Sequence, residues 1–256
     1  MTFIINRFLV LSIISATLHP FAFSQVTDSA QSLYRMGESF VSRDPDKAFQ
    51  FFERAMNEAQ QKGEWSIYLL SVNKLASLDI DDQLRHSQSS GTLSADLERQ
   101  EEKVFALLKE SVKILKNAKE DSILAQLHFY TGEYYNRITN EIDPPISHYE
   151  NAKRILESLK GEWNEQVANC YHGLGDIYKY SKFDFYEAEK AYEKALLIRE
   201  KIQLQDQEVL YKNYYNLAAT NRSQLDFEKA LSYGSKTLEI ASKLKPIRKE
   251  MANGMV

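Results

Sequence analysis

The sequence predicts an all-α solenoid of about five helical hairpins. A pattern of large and small residues recurs at long intervals, with Gly132 to Gly175 and Gly175 to Ala218 both spanning 43 positions. The 256 residues hold nine Gly and five Pro, too few for the tight turns of a barrel or sandwich. Aspartates stand four residues ahead of Ala48, Ala188 and Ala230, where a capped helix would begin.

The first segment reads as an address. Met1 to Ser24 carries a single charge, Arg7, followed by the apolar run Phe8 to Leu18 of 11 residues. A spanning helix needs about 20 apolar residues, whereas a secretory signal needs roughly 7–15 after a basic start. Ala22-Phe23-Ser24 offers small residues for cleavage before Gln25. His19 and Pro20 make Ile4 to Phe23 a poor anchor. The expectation is an exported chain, periplasmic or secreted after cleavage between Ser24 and Gln25. A membrane enters only if the signal is uncleaved or the chain is part of a membrane protein.

The repeat occupies residues 25–245. Its clearest unit reads Tyr171-x-x-Leu174-Gly175-x-x-Tyr178, then Ala188-x-x-x-Tyr192-x-x-Ala195. Another reads Tyr214-x-x-Leu217-Ala218, then Ala230-x-x-x-Gly234-x-x-Thr237. A third has Leu33-x-x-Met36-Gly37-x-x-Phe40, then Ala48-x-x-x-Phe52-x-x-Ala55. A weaker unit has His128, Thr131, Gly132 and Tyr135, then Tyr149 and Ala152. Helices approach to the short end of roughly 8–10 Å only where small residues meet. Glycine inside a helix costs about 1 kcal/mol against alanine, so its recurrence implies close packing. The hairpins fall near 29–62, 64–118, 121–160, 163–202 and 207–244.

Asp44-Pro45, Asp143-Pro144, Asp184 and Asp226 each precede an expected second helix, and Asp184 has Glu187 at capping-box spacing. The second hairpin is the least regular, with Val104, Leu108, Ser111 and Ile114 at the expected inward offsets. Between its helices, 81–95 is polar and Ser-rich and reads as a loop inserted in the turn. Pro246 should end the tenth helix, and 246–256 reads as the start of a further one.

These residues resemble the tetratricopeptide repeat, in the long-helix variety of kinesin light chains and many bacterial exported or signalling proteins. The family's usual unit is shorter, and the extra residues here lengthen the helices between turns. The resemblance implies a right-handed superhelix held by Gly37, Ala48, Ala55, Gly132, Ala152, Gly175, Ala188, Ala195, Ala218 and Ala230. It also implies a concave groove lined by the first helix of each unit. Carried over by position, one row is Phe129, His172 and Tyr215, and a second is Glu133, Asp176 and Ala219. Flanking rows are Gln126, Asn169 and Lys212, then Asn136, Lys179 and Arg222. Aromatics beside amides suit an extended protein segment.

Other chemistries find little footing. A net charge of −4 without a basic stripe argues against nucleic acid. The single cysteine, Cys170, excludes a disulfide framework, and no Cys/His set has zinc spacing. Cys170 and His172 are two apart on one helix and point different ways, so they do not form an activated thiolate pair. Asp79, Asp81 and Asp82 lack the glycine and distal glutamate of a calcium loop. No cofactor, metal or catalytic motif is expected. The reading is therefore a non-enzymatic scaffold for protein or peptide partners. Alternatives by analogy are the sensor part of a membrane histidine kinase or the leader of a CHAT-type caspase-like peptidase.

Overall fold

A computed structural model of the chain describes residues 29–89, 95–114 and 122–253. Among these residues no strand occurs. The helices are α1 (Ala30–Phe40), α2 (Pro45–Lys62), α3 (Trp65–Ser89), α4 (Ala95–Ile114) and α5 (Ser122–Ile138). They continue as α6 (Asp143–Lys160), α7 (Glu165–Asp176), α8 (Phe185–Lys201), α9 (Gln207–Ser223) and α10 (Phe227–Asn253). A π-helical turn, Ile177–Ser181, extends α7. The expected signal, 1–24, lies outside the described residues. The chain divides into two compact units, 1–67 and 68–256.

The first unit contains the hairpin α1/α2. Ser29 Oγ accepts the Ser32 N–H at 3.1 Å to begin α1, and Asp44 accepts from Lys47 at 3.0 Å to begin α2. Pro45 occupies the first turn of α2, where its missing N–H is no loss. Gly63, at φ 71°, closes α2 in the left-handed conformation. The two helices meet where the Phe52 ring lies on Gly37: a Cβ added there would come within 2.7 Å of the ring. Ala48, Phe52 and Ala55 are fully buried in that contact.

The same arrangement recurs twice in the second unit. The Tyr149 ring of α6 lies on Gly132 of α5, 3.3 Å from a Cβ placed there. The Tyr192 ring of α8 lies on Gly175 of α7, at 2.6 Å. Ala152, Ala188 and Ala195 are fully buried beside these rings, as their small-residue pattern requires. Gly173 of α7 also packs on Tyr149, so that ring is held between successive hairpins. Asn164, Asp184, Asp206 and Asp226 cap α7 to α10 through bonds of 2.9–3.2 Å to first-turn N–H groups.

Several expectations need correction. Asp143 does not cap α6: it is the first helical residue, behind Ile142, which makes no side-chain cap. Of the two N–H groups that a cap at Asp143 could reach, Pro145 lacks one, and that of Ile146 alone remains. The capping box at Asp184 is one-sided, because the Glu187 carboxylate bonds Lys190 at 2.8 Å instead. The loop expected over 81–95 is largely helix, since α3 runs to Ser89 and α4 starts at Ala95. Residues 90–94 are outside the described set. Polar side chains at 81–89 did not prevent a helix already propagating, because adding a turn is far easier than nucleating one. Val104, Leu108 and Ser111 are buried as expected, but Ile114 is 39% exposed. Pro246 does not end the last helix, which continues to Asn253. A proline removes one ladder bond, and the following residues are good enough helix formers to carry the helix past it.

Gly175→Ala should destabilise the second unit by about 1–3 kcal/mol, because the new methyl meets the buried Tyr192 ring. Gly234→Ala should stabilise it by about 1 kcal/mol, since a Cβ there meets nothing within 4 Å and helix propensity improves. Urea unfolding of both variants checks the pair; like signs would refute the packing role of Gly175.

Candidate interaction surface

The first helices α5, α7 and α9 carry the residues expected to line a groove. The structure ties several of them into the protein itself. Tyr149 donates its hydroxyl to Glu133, one residue after Gly132. Tyr192 donates to Asp176, one residue after Gly175, at 2.5 Å. A buried ring that must lie on the glycine brings a hydroxyl with it, and the carboxyl group next door accepts its hydrogen bond. Glu133 and Asp176 are therefore not free acids on a wall. Tyr134 makes a related bond to Asp79, at 2.5 Å, which gives that acid a structural role.

Burial dominates the electrostatics here. It raises the Glu133 carboxyl above its ordinary range, opposed by the Tyr149 bond. It pushes Asp176 up to about 7, against the pull of the Tyr192 bond. His172 goes the other way, down to about 3, through burial and then the nearby charges of Arg199, Lys212 and Lys179. His172 is thus a neutral ring, lying edge-on to Tyr192 with centroids 5.3 Å apart. Asn216 Nδ2 lies 3.4 Å from both His172 Nε2 and Asp176 Oδ1. With Nε2 as the acceptor, the ring proton sits on Nδ1, which is buried and has no hydrogen-bond partner.

Asn169 is also engaged. Its Oδ1 accepts from Arg199 at 2.8 Å, and Arg199 donates to Asn213 as well. Asn213 Nδ2 in turn donates to the Tyr192 carbonyl at 3.0 Å. One buried guanidinium thereby joins α7, α8 and α9. Lys179 is buried in the π-helical turn, its ammonium 4.6 Å from the Tyr180 ring centroid and 6.0 Å from that of Tyr192.

The aromatic row is uneven. Phe129 is half-buried and edge-on to Tyr149 at 5.8 Å, and His172 is packed as described. Tyr215 is 53% exposed and stacked on Tyr211. Gln126, Phe129 and Asn169 line a small cavity of about 110 Å³ with Gln166. Tyr215, Ala219 and Arg222 instead face a wider one of about 660 Å³ in the last hairpin. Asn136 is half-buried and Lys212 exposed.

Sequence reasoning missed Arg199, Asn213 and Asn216. Arg199 lies 11 residues after Ala188, on the inward face of α8, and that register marks it as buried. Nothing in sequence spacing marks the two asparagines. Cys170 is buried, as its periodic position suggests, and burial pushes its thiol up to about 12. His128 and His148 face each other with Nδ1 atoms 2.9 Å apart. Among the described residues, no group of three or more His, Cys, Asp or Glu is placed to hold a metal, and no helix is long and apolar enough to cross a membrane.

No protein-family model matches the chain, and no curated protein does. Solved structures do match. BtubC (BKLC) from P. vanneervenii is similar at a TM-score of 0.60 and 18% identity, over 84% of this chain and 89% of its own. Kinesin light chain TPR-like repeats from P. anserina give 0.59 and 14%, over 84% and 95%. A Rap protein complexed with competence and sporulation factor gives 0.57 and 15%, over 84% of this chain and 55% of that one. The fold is thus an all-α solenoid of TPR-like hairpins, and the proteins that share it are TPR-like repeat proteins.

Arg199→Leu should cost about 1–3 kcal/mol, because the Asn169 and Asn213 carbonyl oxygens lose a buried donor. A urea midpoint equal to the parent's would contradict that bridging role. The Asp176 proton is held more tightly in the folded chain than in the unfolded one. Its stabilising effect is therefore full at acid pH and lost as pH rises through about 7. Asp176→Asn should gain stability relative to the parent between about pH 5 and about pH 8. A constant difference across that range, measured by thermal melts, would count against the raised carboxyl.

Proposed function

We propose that the chain is an exported, non-enzymatic scaffold that holds a segment of a partner protein against α5, α7 and α9. The observation that carries this reading is the cavity beside Gln126, Phe129, Gln166 and Asn169. An aromatic side chain beside amides suits a backbone with an apolar side chain. The fold is also that of a Rap protein complexed with competence and sporulation factor, which supports a bound segment on this architecture. Against catalysis stands the Cys170 thiol, buried and far from its thiolate form near neutral pH. The basic-then-apolar start, Arg7 followed by Phe8 to Leu18, supports export.

Two measurements test it. Mass spectrometry of the protein from its native host should find the mature terminus at Gln25 in the exported fraction; an intact Met1 confined to the cytosol would overturn export. Pulldown from that fraction with the Gln126→Ala/Phe129→Ala variant should recover much less of a specific partner than the parent does, with helicity unchanged. Equal recovery of every captured protein would remove this wall as the binding surface.

A further inference from the structure

The α5/α6 hairpin departs from its neighbours at one cross-helix pair. The hairpins align on Gly37, Gly132, Gly175 and Ala218 in their first helices, and on Phe52, Tyr149, Tyr192 and Gly234 in their second. Four residues before the first set stand Leu33, His128, Tyr171 and Tyr214. One residue before the second set stand Phe51, His148, Ala191 and Tyr233. These positions meet across a hairpin: Tyr171 packs in one cluster with Ala191, and the Tyr214 and Tyr233 rings have centroids 6.3 Å apart. The other three aligned hairpins meet the need with apolar or phenolic side chains. Packing alone therefore does not call for two imidazoles.

The two rings point straight at each other. Their Nδ1 atoms are 2.9 Å apart and their centroids 5.1 Å apart, so the line joining the rings runs nearly through both nitrogens. One proton fits between them, with one Nδ1–H donating and the other Nδ1 accepting. An aromatic stack fixes the setting: Tyr135 lies on His148 at 5.6 Å and 24°, and Phe105 is edge-on to Tyr135 at 4.8 Å. Both imidazoles are half-buried, which leaves them within reach of solvent. Burial, and then His128, lower His148 to about 4, so it is neutral near pH 7. Neutral imidazole is the form that binds a metal.

We infer that His128 and His148 hold a copper(I) ion between their Nδ1 atoms. Two nitrogen donors set head-on match the linear, two-coordinate geometry of a monovalent ion with a filled d shell, and imidazole suits copper. Among the described residues no third His, Cys, Asp or Glu completes the four-coordinate set that zinc takes. Metal–imidazole bonds of about 2 Å would place the nitrogens about 4 Å apart. Each ring then withdraws by about half an ångström along the line it already defines, through small side-chain rotations. The donor ring moves its proton from Nδ1 to Nε2 through solvent, both rings stay neutral, and the ion takes the two inward lone pairs. Neither histidine lines the cavity beside Phe129, so the site is independent of the proposed groove.

The probe is copper(I) itself, titrated without oxygen into the untagged full chain against ferrozine as competing chelator. The chain should take up one equivalent, and its thermal midpoint should rise, because an ion held only by the folded pair stabilises the fold. X-ray absorption should show two nitrogen neighbours at about 2 Å and no sulfur. His128→Tyr and His148→Phe put at each position a residue that another hairpin carries there, so helicity by circular dichroism should hold while the equivalent is lost. Cys170→Ala should retain it. No uptake by the parent, uptake by either histidine variant equal to the parent's, or a sulfur neighbour overturns the inference. So does displacement of copper(I) by zinc(II) at equal concentration, since the site would then be one for a divalent, four-coordinate ion.

Discussion

An aromatic ring of one helix packed against a glycine of its partner is the contact on which the hairpins depend. Phe52 on Gly37, Tyr149 on Gly132 and Tyr192 on Gly175 repeat it; a Cβ would collide with the ring at Gly37 and Gly175 and crowd it at Gly132. Glycine lowers helix stability by about 1 kcal/mol, and the buried ring more than offsets that through the apolar surface it removes from water. The flanking alanines, Ala48, Ala152 and Ala188, let the second helix come close enough to deliver the ring.

That contact dictates the polar chemistry beside it. A phenylalanine on the glycine asks for nothing more, and after Gly37 the Glu38 carboxylate instead accepts a bond from Tyr34. A tyrosine brings a hydroxyl that must be satisfied, and Glu133 and Asp176 satisfy it from the next position along the first helix. The two acids expected on the groove wall thus take part in the packing. Burial raises both carboxyls and leaves His172 neutral.

The contact also explains the contrast at the last hairpin. Removing the ring at Gly234 removes the hydroxyl as well, and with it the need for a carboxylate, so Ala219 takes that place. What remains is a trough bordered by Leu231 and Leu238 where the preceding hairpins have filled interiors.

Helix order, the inward register of Gly175 and Ala188, and the caps at Asp44, Asp184 and Asp226 were legible in the residues, because they arise from local propensity and from a repeated size pattern. The length of α3 and the passage of α10 through Pro246 were not, because a growing helix tolerates polar runs and a single lost bond once its neighbours are in place. The fate of Asn169, Glu133 and Asp176 was decided only in three dimensions. Whether an acid or amide faces solvent depends on whether a donor from another helix, such as Arg199 or Tyr192, comes within bonding reach, and that is a matter of how the helices pack.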